Sequence, residues 1–143
     1  MRIRTLSAVA VLALAPLTTL SAQETVRFIN GRSASQTNAP PFSGAVLVGN
    51  TLYLSGVLGV GATGEEAARD ALDSMKSTLE AADMTMDHLV NVQVFAADLA
   101  DYQAFNTIYR SYFTREFPAR AFLGAGSLLN NAKFEVVGIA ARR

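Results

Sequence analysis

Apolar residues recur along this chain on two periods, and each period marks a kind of element. AVLVGNTLYLSG, residues 45–56, holds two β-rich apolar runs either side of Gly49-Asn50, which predicts a hairpin with a two-residue turn. Thr25 to Asn30 forms a short candidate strand before it. The intervening GRSASQTNAPP forbids regular structure through its glycine, serines, asparagine and paired prolines. The period then changes: Ala68, Leu72, Met75, Leu79 and Ala82 recur at spacings of four and three, one stripe on a helix. That helix opens on TGEE, where Thr63 can cap it and Glu66 can answer as a capping box.

After a turn around Asp83 to Asp87, LVNVQVFA (Leu89 to Ala96) returns to alternation rich in valine and predicts a strand. Asp98 or Asp101 caps a second helix whose stripe is Tyr102, Phe105, Tyr109 and Tyr112, and Pro118 closes the loop after it. Two further strands, about Arg120 to Gly124 and Ala132 to Ala141, flank the small-residue loop GAGSLLNN. The order β, β-hairpin, α, β, α, β, β predicts an α+β fold with both helices on one face of the sheet. Runs such as AVLV and VVGIAA are too apolar to leave the other face in water, so a homo-oligomer is expected.

Composition removes several function classes. The chain has 143 residues, half of them hydrophobic and 17% charged, enough for one packed domain. Twelve bases balance twelve acids, so no basic field advertises nucleic acid or an anionic membrane surface. With no cysteine and one histidine, His88, there is no thiolate nucleophile, no disulfide framework and no Cys/His zinc site. No acidic cluster has ligand spacing, and no metal is expected. His88 belongs on the surface, the tyrosines in core or interface, and GVGATGEE lacks the lysine and spacing of a phosphate loop. Ser55 has no histidine base to activate it as a nucleophile.

The first residues change the setting. Arg2 and Arg4 precede an apolar run from about Leu6 to Leu20, and small Ser21 and Ala22 stand ahead of Gln23 and Glu24. That layout predicts a cleaved secretory signal peptide over 1–22 and a domain over 23–143, periplasmic or secreted, with no membrane attachment after cleavage. The run is shorter than a spanning helix needs and contains Pro16. Loss of Arg2 and Arg4 leaves ten bases against twelve acids, a mildly acidic domain.

Two charges stand among apolar strand neighbours, Arg120 in FPARAFLGAG and Glu135 in AKFEVVGIA. Arginine cannot shed its proton, so in an apolar strand it must meet an anion or reach solvent at the strand end. Two readings follow: a structural pair between Arg120 and Glu135, or a site in which Arg120 grips a substrate carboxylate while Glu135 handles a proton or orients water.

APPFSGAVLVGNTLYLSG, VFAADLADYQAFNTIYRSYF, FPARAFLGAG and KFEVVGIAARR together resemble the Rid family of reactive-intermediate deaminases, also called the YjgF/YER057c/UK114 family, from about Asn38 to the C-terminus. The resemblance implies a chorismate-mutase-like mixed sheet of about six strands, assembled as a homotrimer with ligand sites in clefts between subunits. It implies hydrolytic deamination of 2-imino and 2-enamino acids to 2-keto acids and ammonia, without a cofactor. On that resemblance Arg120 binds the substrate carboxylate, Glu135 assists water addition, and Ser55, Gly56 and Asn106 line the cleft.

Three positions depart from the family pattern: Phe42 replaces a tyrosine, Val57 a glutamine, and Phe122 a small residue. Together they imply a smaller or greasier pocket. The alternative function is a non-catalytic, carboxylate-binding or stress-protective module of the same family.

Overall fold

The computed structural model describes residues 25–31 and 38–142; the expected signal peptide lies outside them. Strands β1 (Val26–Ile29), β2 (Ala45–Val48), β3 (Thr51–Gly59), β4 (Leu89–Ala96), β5 (Ala119–Gly124) and β6 (Phe134–Ala141) form one sheet in the order β1-β2-β3-β6-β4-β5. Every neighbouring pair is antiparallel except β4 and β5, so the sheet is mixed. Helices α1 (Gly64–Glu80) and α2 (Tyr102–Arg110) pack on each other, and α1 lies across β3 and β6.

The capping box forms as the sequence predicts. Glu66 N–H donates to Thr63 Oγ1 at 3.2 Å and Thr63 N–H donates to Glu66 Oε2 at 3.2 Å. The stripe Ala68, Leu72, Met75, Leu79 and Ala82 is completely buried beneath α1. Gly49 sits at φ +56°, a left-handed conformation that suits glycine in a two-residue turn. The two candidate caps of the second helix divide their work: Asp98 accepts from Ala100 N–H at 2.8 Å on the short turn before α2. Asp101 instead pairs with Lys133 at 3.2 Å, tying α2 to the approach to β6.

Leu52, Leu54, Val92, Val94, Phe134, Val136 and Ala140 point from the sheet to the helices and, with Phe105 of α2, make the core. The second face carries Tyr53, Phe95, Leu123, Val137 and Ile139, and among the described residues no helix lies over it. Tyr53 is 51% exposed there. Tyr112 falls past the end of α2, where its hydroxyl donates to Asp73 at 2.7 Å rather than extending the buried stripe.

One irregularity decides what faces where. Leu54 pairs with Gly138 and Val57 with Val136, so Ser55 and Gly56 both stand opposite Val137. This is a β-bulge, and the extra residue reverses the facing of everything after it. Val57 therefore turns toward the core and Leu58 takes the open face, in register with Glu135.

Candidate functional site

Arg120 and Glu135 lie on opposite faces of the sheet. Arg120 is in register with Val92, and Val92 with Gly138, a row that faces the helices. Glu135 is in register with Phe95, and Phe95 with Leu123, a row on the open face. Paired residues share a face, and two strands plus three residues separate the charges by roughly 14 Å. An ion pair between them within one chain is therefore excluded.

Arg120 is built into α2. Its Nη2 donates to Asn106 Oδ1 at 2.7 Å, and Asn106 is itself buried. The guanidinium carbon lies 4.7 Å from the Tyr109 ring centroid, 5.7 Å from Phe122, 5.9 Å from Phe105 and 6.0 Å from Tyr102. Four ring faces and edges thus surround a cation that cannot neutralise, while Asn106 fixes one nitrogen of its fork. The remaining nitrogens face a cleft of about 190 Å³ lined by Asn106, Tyr109, Arg110, Phe117, Pro118 and Arg120.

Tyr109 shapes this half of the site. Its ring stacks on Phe105 at 5.6 Å and meets Phe113 at 4.7 Å. Burial pushes its phenol up to about 12, against a smaller downward pull from the Arg120 charge. Its hydroxyl is buried without a hydrogen-bond partner among the described residues. Asn106 and Tyr109 are three residues apart and so share one face of α2.

Glu135 belongs to a second cleft, of about 510 Å³, lined by Phe42, Ser55, Gly56, Leu58, Leu129 and Glu135. The bulge brings Ser55 and Gly56 to this cleft together. Ser55 Oγ donates to the Ser43 carbonyl at 2.7 Å, and Ser55 N–H donates to the Gly44 carbonyl at 3.0 Å, pinning the loop that carries Phe42. A Cβ at Gly56 would overlap Oε1 and Cδ of Glu135, so only glycine lets the carboxylate lie against the bulge. Leu129 projects 75% exposed at the rim, ahead of Asn130 (φ +56°) and Asn131 (φ +54°). Asparagine tolerates the left-handed region that this tight turn needs.

The structure thus brings Phe42, Ser55, Gly56 and Glu135 together, and Asn106 with Arg120, in two separate clefts. The greasier pocket expected from Phe42, Val57 and Phe122 is composed differently. Phe122 packs edge-on against Tyr102 at 4.9 Å and Phe105 at 5.5 Å, walling the Arg120 side, and Val57 packs on the core. Leu58 and Leu129 join Phe42 in the apolar lining of the Glu135 cleft, in place of Val57 and Phe122. Sequence reasoning missed Leu58 because nothing in YLSGVLG announces the bulge, whereas Leu129 could have been found from the two asparagines after it.

A mixed six-stranded sheet with two helices on one face, an arginine tethered to a helix asparagine and a glutamate against a Ser-Gly bulge define a small α+β protein with one cleft that carries a cation and another that carries a carboxylate. The sequence model of the Endoribonuclease L-PSP family matches residues 33–142, and the chain belongs to that family, the YjgF/Rid proteins. A Dermatophagoides farinae protein named 2-iminobutanoate/2-iminopropanoate deaminase is 36% identical over 107 residues, covering 69% of this chain and 84% of that protein. The human protein of the same name is 36% identical over 109 residues, covering 70% of this chain and 79% of its own. The crystal structure of the YjgF gene product from E. coli superposes with a TM-score of 0.69 at 33% identity, over 72% of this chain and 89% of that one.

Proposed function

We propose that this protein hydrolyses 2-imino and 2-enamino acids to 2-keto acids and ammonia, in sites shared between copies of the chain in a homotrimer. The observation that carries the reading is the placement of Arg120 and Glu135. Each is held on its own cleft, on opposite faces of one sheet, with an uncovered apolar face between the Glu135 cleft and solvent. A second copy seated on that face can carry its Arg120 cleft to the first copy's Glu135. The naming of the mite and human relatives as imine deaminases supports the reaction class.

The chemistry asks little beyond placement. The tethered guanidinium of Arg120 takes the substrate carboxylate through its free nitrogens, which fixes C2 relative to Glu135 of the other copy. The Glu135 carboxylate accepts a proton from water as the oxygen bonds to C2 and the imine electron pair moves to nitrogen, which takes up a proton. Glu135 then returns its proton to the nitrogen as the carbinolamine collapses: the C–N bond breaks, ammonia leaves, and the hydroxyl proton passes to bulk water, balancing the one the nitrogen took up, so that the C=O bond of the keto acid remains. No step calls for a cofactor. Balanced formal charge supports a small anion over a polyanion such as RNA.

The pattern of Arg2 and Arg4 ahead of an apolar run supports an exported protein, so the proposed place of action is the periplasm or the cell exterior. The test is to express residues 23–143 and follow the loss of imines generated in situ by an amino-acid oxidase. Arg120→Ala and Glu135→Ala are each expected to lower kcat/KM by about 10²-fold. A folded wild-type oligomer that accelerates no imine overturns the enzyme reading in favour of carboxylate binding alone.

A further inference from the structure

Resting on that reading of the site, we infer that the cleft selects substrates whose side chain is long and apolar, and that Leu58 and Leu129 set this preference. With the carboxylate on Arg120 and water at Glu135, the Glu135 cleft is the roomier of the two, about 510 Å³ against about 190 Å³, and gives the third substituent of C2 space against its lining. That lining is hydrocarbon apart from two side chains. The Ser55 hydroxyl proton is committed to the Ser43 carbonyl at 2.7 Å, and Glu135 is engaged with water. Leu58 pairs directly with Glu135, so its side chain stands beside the carboxylate on the same face. Phe42 (60% exposed) and Leu129 (75% exposed) complete the rim.

Single exposed apolar residues are ordinary on protein surfaces, but two exposed ones, Phe42 and Leu129, converging with half-buried Leu58 on the cleft that holds Glu135 are not. A methylene that leaves water for this lining gains about fourfold in affinity, whereas a polar side chain loses hydration that the hydrocarbon of Phe42, Leu58 and Leu129 does not replace. Discrimination of this kind operates on kcat/KM. The bulge is what makes it possible, because without the extra residue Val57 and not Leu58 would face Glu135.

The experiment compares imines made in situ from alanine, norvaline, norleucine and glutamine with residues 23–143 and with L58S and L129S. The expected kcat/KM rises about fourfold for each methylene from the alanine-derived to the norleucine-derived imine, with the glutamine-derived imine well below the norleucine-derived one. In either variant the ratio of the norleucine to the alanine value falls about tenfold. Equal values across the series, or an unchanged ratio in both variants, overturn the inference. If no imine is hydrolysed, the function proposed above has failed. The preference is then read by calorimetry with the keto acids themselves, where 2-oxohexanoate binding no tighter than pyruvate overturns it and tighter binding, lost in L58S, upholds it.

Discussion

The Arg120 and Glu135 halves of the site are built on opposite plans. The guanidinium is held by one hydrogen bond to a buried asparagine and by four aromatic rings, and opens on its remaining side to a cleft. Among the described residues no ion pair or side-chain hydrogen bond holds the Glu135 carboxylate, which rests against a glycine in an open cleft. The contrast matches the work proposed for each. A grip on an anion gains from preorganisation, while a group that gives and takes protons has to stay free to do so. On the proposed function a single copy is an incomplete site, because the rigid half and the free half face away from each other.

The strongest challenge to that contrast is complementation. Arg120→Ala and Glu135→Ala proteins, each inactive alone, are expected to recover about a quarter of wild-type activity when unfolded together in equal amounts and refolded as mixed trimers, because one site in four then draws both groups from intact donors. Recovery of nothing from mixed oligomers would place both groups in one subunit. A smaller effect is expected from Gly56→Ala. The added methyl group meets only the far end of Glu135, so the fold survives while the carboxylate swings away, and activity falls about tenfold or more with an unchanged melting temperature.

Asn106→Ala sharpens the other side by freeing the fork. Loss of a charge-assisted hydrogen bond is expected to cost about 1.5–3 kcal/mol, read as a KM raised at least tenfold with kcat changed less. The smallest effect concerns Tyr109. Its phenol titrates near 12 in the folded chain and near 10 when unfolded, so the unfolded state releases its proton first. The contribution is complete below pH 10 and is lost as pH rises toward 12. Tyr109→Phe is expected to make the alkaline limb of a stability-versus-pH curve shallower, and an unchanged limb would show that the phenol is not buried in solution.

Much of this architecture was legible in the residues because local chemistry agreed with the final fold. TGEE could cap a helix and does; Gly49-Asn50 could turn a hairpin and does; LVNVQVFA bounded its strand to the residue. The facing of Arg120 was legible in part, since it alternates with Phe122, a residue that joins the core. The facing of Glu135 was not, because FEVVGIAA is apolar on both sides of the strand and alternation there carries no information. Nor could the bulge be seen, for Ser55 and Gly56 suit a regular strand as well as an interrupted one. The choice between Asp98 and Asp101 as a cap needed Lys133, which comes from far along the chain.

The parallel pairing of β4 with β5 has a consequence for how the protein loosens. β5 is an edge strand, tied to the sheet on one side only and reached through a connection that contains α2. β1, the other edge strand, is short and mostly exposed and carries no site residue, whereas opening of the α2–β5 edge carries Asn106 and Arg120 away together. Glu135, on a strand paired on both sides, stays ordered in that partly open state. Heat or mild denaturant is therefore expected to abolish carboxylate affinity before the sheet melts. A bound anion, in turn, should slow amide exchange most in residues 102–124.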